Sequence, residues 1–125
     1  MLSPLYEQIG PPVVADVIKE FYDRAFEDPI IGHFFYKKDK TRLVTFQTQF
    51  SAKLLGSKSE VYQGRDLKGA HAGLAIKSVH FSRRQVLMAE VLSEFRVPSK
   101  LSEAWLAREE ALRKLMVGSE SSPCR

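Results

Sequence analysis

The stretch "PPVVADVIKEFYDRAFEDP", residues 11 to 29, decides the fold. Its residues Val13, Val14, Val17, Ile18, Phe21, Tyr22, Ala25 and Phe26 recur at threes and fours, which sets them along one broad face of an α-helix. The alternation that a half-buried strand requires is missing. The helix is expected to begin after Pro11-Pro12 and must end near Pro29.

A face this wide needs partners, and the rest of the chain supplies them. Leu43, Phe46, Gln47, Phe50 and Leu54 make a second helical face that stops at Gly56. Val86, Leu87, Val91, Leu92 and Phe95 line a third helix before Pro98. A fourth runs from Ser99, a suitable cap, through Leu101, Trp105, Leu112, Leu115 and Met116 to Gly118. A short opening helix around Leu5 to Ile9 starts at Ser3 and Pro4. The pattern predicts an all-α fold in one domain over residues 1–118, followed by a polar, disordered tail over 119–125.

Composition fits one domain with one site: 125 residues, 44% hydrophobic and 27% charged. No run of about 18 apolar residues exists to span a bilayer, and "MLSPLYEQIG" lacks the basic region and apolar core of a signal peptide, so the expectation is a cytoplasmic protein. The one cysteine, Cys124, can neither staple the fold nor join a cysteine-based metal cluster. A net charge of +4 is spread out, with only "KKDKTR" (37–42) and Arg83-Arg84 as local concentrations. With no zinc-finger spacing and no glycine-rich phosphate loop, nucleic acid is not an expected partner.

Between the second and third helices lies "GSKSEVYQGRDLKGAHAGLAIKSVHF" (56–81), about 25 residues of little periodicity. Irregular connections of that length tend to be functional. It closes on His80, which reads either as a satisfied boundary residue or as a side chain deliberately placed. Gln47 falls on the second helix's apolar stripe, where its amide is either an edge group bonded to a carbonyl or water, or part of a site. Tyr22 carries the same ambiguity on the first long helix, as a core aromatic with a local acceptor or a site residue.

Four segments together resemble the truncated haemoglobins, and specifically their first group: "EFYDRAFEDP" (20–29), "GHFFYKKDK" (32–40), "TRLVTFQTQFSAKLLG" (41–56) and "YQGRDLKGAHAGLAIKSVHFS" (62–82). The likeness runs from Leu5 to about Val117, and Tyr22 precedes Phe35 by thirteen residues, as a tyrosine and a haem-stacking phenylalanine do in that family. The other two groups usually place a tryptophan in the helix after the proximal histidine, whereas the single tryptophan here, Trp105, is in the last helix. Two departures concern loops: the family's glycine pairs are replaced by Gly10-Pro11 and Gly56-Ser57.

The resemblance implies a two-over-two helical sandwich around haem b (iron protoporphyrin IX). On it, the His80-Phe81 pair is matched so that His80 is the proximal iron ligand. Phe35 packs on the porphyrin, and Tyr22 and Gln47 form the distal hydrogen-bonding pair. Leu43 and Phe46 leave the sixth position open because neither can coordinate iron, and Phe50 lines a route for small ligands. Lys68, Lys40 and Arg42 are the cations for the propionates or simply solvated, and His71 is a haem-edge neighbour or a plain surface residue. His33 is expected at a solvated edge.

The implied function is reversible binding of dioxygen, nitric oxide and carbon monoxide at a pentacoordinate, histidine-ligated iron, in oxygen transport or a related role. A second reading is an enzyme, a nitric oxide dioxygenase acting in nitric oxide detoxification with a separate cellular reductase. A third is a haem-free helical regulator.

Overall fold

The computed structural model describes residues 3–58 and 74–117. Among them every regular element is helical: α1 (Leu5–Ile9), α2 (Pro11–Glu27), a 3-10 turn (Gly32–Phe35), α3 (Lys40–Leu54), α4 (Ser78–Glu94), α5 (Ser99–Glu110) and α6 (Arg113–Met116). The expected tail lies outside the described residues, as do Lys68 and His71.

α2 is the central helix because its stripe is the most apolar, and it packs on α1, α3, α4 and the 3-10 turn. Val14, Val17, Ile18, Phe21, Tyr22 and Ala25 are buried along it. α4 crosses to α5 and α6, so that Leu87, Met88, Val91 and Leu92 meet Trp105, which is fully enclosed. Arg24 of α2 pairs with Glu94 of α4, and Arg83 of α4 pairs with Asp28 just beyond α2.

Two helices end the same way with different residues. After α3, Gly56 sits at φ +99° while its N–H bonds the Lys53 carbonyl and the Ser57 N–H bonds that of Ala52. After α4, Arg96 takes φ +58°, with Arg96 N–H on Ser93 and Val97 N–H on Leu92. Both are six-to-one, five-to-two closures that satisfy the last carbonyls, and glycine adopts the left-handed corner without steric cost.

The structure departs from the sequence reading in three places. The third long helix begins at Ser78, so His80 is inside its first turn and does not close an irregular span. Its start escaped the periodicity because Val79 points to solvent, at 63% exposure, and no apolar stripe marks that turn. The last helix breaks at Ala111–Leu112, where Leu112 N–H bonds the Glu109 carbonyl three residues back. Ser99 is the first helical residue of α5, and no side chain caps that helix. The phenylalanine pair lies on the 3-10 turn, which requires Gly32 because a Cβ there would stand 2.9 Å from the Phe26 carbonyl oxygen.

Candidate functional site

α3 is set by Asp39, whose side chain accepts the Arg42 N–H at 3.1 Å at the helix start. Its apolar stripe then faces the end of α2, but Leu43, Phe46, Phe50 and Leu54 are only half-buried, and the two covered residues are the small Ser51 and Ala52. Beside this stripe a cleft opens, walled by Tyr22 of α2, Gln47 and Phe50 of α3, Phe81 and Arg84 of α4, and Glu109 of α5.

Tyr22 is 8% exposed, and its ring meets Phe21 and Phe35 edge-on at 4.8 and 5.8 Å between centroids. Phe35 in turn stacks on Phe26 at 4.9 Å. Such contacts fix a phenol's direction and leave its hydroxyl as the adaptable end. The structure thus brings Tyr22, Gln47 and Phe50 to one cleft, with Phe35 in contact through the tyrosine ring. Leu43 and Phe46 are not among the cleft's walls, and Phe46 lies under the Arg42 guanidinium, 5.1 Å from its centroid. Lys40 pairs with Asp23 at 2.9 Å, a hydrogen bond that holds the Asp23 carboxyl below its ordinary range against a smaller opposing effect of burial.

His80, expected as the iron ligand, lies in the first turn of α4. Its Nδ1 accepts the Lys77 backbone N–H at 2.9 Å, so the imidazole reaches back to cap the first turn of α4. Its ring packs on Phe34 and His33, at 4.9 and 5.7 Å between centroids, and it is not a wall of the cleft. The carbonyl acceptor that an iron-bound imidazole needs for its Nδ1 proton is replaced here by a donor. Nε2 makes no hydrogen bond among the described residues. His33 is exposed, with its ring against Phe34.

The sequence reading missed one group at the cleft altogether. Arg84 Nη1 donates to Glu109 Oε1 at 2.7 Å and also to the Gln85 side-chain oxygen, while the Trp105 indole N–H donates to Glu109 Oε2 at 2.9 Å. The guanidinium lies over the Phe21 and Phe81 rings, 4.7 and 5.8 Å from their centroids. Burial works against its charge most strongly, yet the Glu109 carboxylate outweighs it and leaves the guanidinium above its ordinary range. A signal did exist: Arg84 lies three, four and seven residues before Leu87, Met88 and Val91, and Glu109 four after Trp105, so both are charges on apolar stripes. Arg83 and Arg84, read from sequence as a basic concentration, are each spent on an internal carboxylate.

Comparison with known proteins agrees with this architecture. The sequence pattern of the family described as "Bacterial-like globin" matches residues 4–117. The group 1 truncated hemoglobin of Tetrahymena pyriformis is 28% identical over 115 residues, 91% of this chain and 94% of that one. The group 1 truncated hemoglobin GlbN of Synechocystis sp. is 30% identical over 105 residues, 80% of this chain and 84% of that one. The crystal structure of the Tetrahymena protein in its Fe(III) form superposes with a TM-score of 0.87 at 27% identity, covering 93% of this chain and 99% of that one. In fold the chain also resembles the 2/2 hemoglobin of Synechococcus sp., solved in the cyanomet state with covalently attached heme, at a TM-score of 0.82, 22% identity and coverage of 91% and 95%. With its helices and nearly its whole length accounted for in this way, the chain belongs to the bacterial-like globin family as a group 1 truncated haemoglobin.

Proposed function

We propose that the protein holds haem b against the half-buried stripe of α3 and binds diatomic gases in the cleft beside Tyr22 and Gln47. The observation that carries this reading is that a phenol and an amide line one cleft together with Phe50 of the incompletely covered α3 stripe. The residues fit such a group. Leu43, Phe46 and Phe50 are half-buried and offer apolar surface, and a flat macrocycle buries surface of that kind. When bound, haem supplies an iron able to take a dioxygen, nitric oxide or carbon monoxide molecule on its open side.

The chain's own residues do the rest. Phe21 and Phe35 hold the Tyr22 ring, so its hydroxyl can donate to a ligand that gathers negative charge. Gln47 adds an amide donor from the facing helix. Leu43 and Phe46 cannot coordinate a metal, which keeps the ligand side open in the ferrous protein.

The iron ligand we assign to His71, in place of the sequence-based choice of His80. A neutral imidazole that accepts a backbone N–H at Nδ1 carries its proton on Nε2, whereas iron on Nε2 requires that proton on Nδ1, facing an acceptor. Ligation by His80 would therefore break the α4 cap. His33 is committed to an exposed edge, and His71 is the remaining imidazole in the chain.

Haem titration of two variants tests this. His71→Ala is expected to lose stoichiometric, tightly held haem unless imidazole is added. His80→Ala should keep a normal Soret band and lose about 1 kcal/mol of stability with the cap. The reverse pattern returns ligation to His80, and a normal Soret band in both variants would refute histidine ligation by either.

A further inference from the structure

We infer that Arg84 makes the ligand cleft selective for small inorganic anions, such as azide or nitrite, over neutral ligands of the same size. The inference rests on the reading of the cleft as the haem ligand site, and it concerns a residue that this reading does not use.

The two charges that line the cleft are not equally free. Both oxygens of Glu109 are engaged, Oε1 by Arg84 and Oε2 by the Trp105 indole with a longer contact from Arg84 Nη2 at 3.4 Å. The guanidinium has five N–H groups, and Nη1 spends both of its own on Glu109 and Gln85. Nη2 spends one on the long contact. The Nε–H and one Nη2–H have no acceptor among the described residues, and Arg84 is a wall of the cleft. The carboxylate is therefore saturated while the guanidinium is not, so the pair presents donors to a ligand and withholds acceptors.

The guanidinium is also fixed in place. It is stacked on Phe21 and Phe81 and clamped by Glu109, which is anchored in turn by a tryptophan with no exposed surface. An anion entering the cleft meets a donor that needs no reorganisation, in surroundings where bulk salt screens poorly. Tyr22 and Gln47 can donate to neutral or charged ligands alike, and a fixed positive charge discriminates between them.

Equilibrium titrations of the haem-loaded full-length protein test this, with sodium azide on the ferric form and carbon monoxide on the ferrous form. The variant is Arg84→Met combined with Glu109→Gln, so that no buried carboxylate is left without its partner. Azide affinity is expected to fall about 10-fold to 100-fold, the effect of one hydrogen bond to a charged group, while carbon monoxide affinity stays within about threefold. Glu109→Gln alone should hold or raise azide affinity. Unchanged azide affinity in a double variant with a normal Soret band, or equal losses for both ligands, overturns the role of Arg84 and leaves the haem reading standing. A wild-type protein that takes up no haem overturns both.

Discussion

On α2, Val14, Val17, Ile18, Phe21 and Ala25 are covered to 2% exposure or less, whereas on α3 Leu43, Phe46, Phe50 and Leu54 all stay half-buried. The two helices carry stripes of similar residue type and touch each other extensively. What separates them is how far the described protein covers them: α2 meets the cleft only at Ile18 and Tyr22 and is otherwise enclosed, whereas α3 meets it at Gln47, Phe50 and Ser51 and leaves Leu43 and Phe46 half-buried away from it. Apolar area left beside a cleft contributes little to folding in isolation and is available to a ligand. One helix therefore supports the fold while the other is held in reserve for binding.

The largest effects should follow that division. Phe21→Ala on α2 should cost about 3–5 kcal/mol in urea unfolding of the haem-free protein, as a large enclosed ring is lost. Phe46→Ala on α3 should cost less than about 1 kcal/mol under the same conditions, yet weaken haem uptake. Similar losses at both positions would break the comparison.

Next in size is the ligand side of the cleft. Tyr22→Phe in the haem-loaded protein should speed dioxygen release about 10-fold to 100-fold, by the loss of one donor to a charge-gathering ligand, and change carbon monoxide release much less. Stopped-flow rates that shift equally for both gases would mean that Tyr22 acts through cleft volume.

A pH effect sharpens the contrast at the far end of α2. There the Asp28 carboxylate accepts from Arg83 and from the Ile30 and Ile31 N–H groups, and the Arg83 bond, ahead of an opposing burial effect, holds its pKa below the ordinary carboxylate value. A depressed folded pKa contributes stability above the unfolded value, about 3.9, that is lost as pH falls through the folded value. Wild type should therefore lead Asp28→Asn at neutral pH and lose that lead below about pH 4. A gap that does not vary with pH would contradict the assignment.

The smallest effect concerns the two matching helix ends. Arg96→Gly after α4 should raise stability by about 1 kcal/mol, because glycine removes the cost of a left-handed φ. Gly56→Ala after α3 should lower it, since the new Cβ would stand 3.3 Å from that of Pro4 at a φ of +99°. Thermal unfolding of the two variants checks both signs.

The α2 stripe was legible because period, proline brackets and burial agree over 17 residues. Tyr22, Gln47 and Phe50 were legible as a set only through the family likeness, since periodicity alone allowed each a bland role. The role of His80 was not legible because a lone imidazole beside a phenylalanine looks the same in sequence whether it ligates metal or caps a helix. The difference is one contact with the Lys77 N–H, set by backbone geometry. Arg84 and Glu109 stayed hidden because their pairing spans 25 positions and depends on how α4 crosses α5. The 3-10 turn left no period to read, being four residues long.

Amide hydrogen exchange, with and without stoichiometric haem, tests most directly whether the α3 stripe is completed by haem. The account predicts that α3 amides from Leu43 to Leu54 gain the most protection on haem addition and that the centre of α2, already enclosed, gains the least. Protection that rises uniformly along the chain, or an α3 that exchanges equally fast in both states, would contradict it.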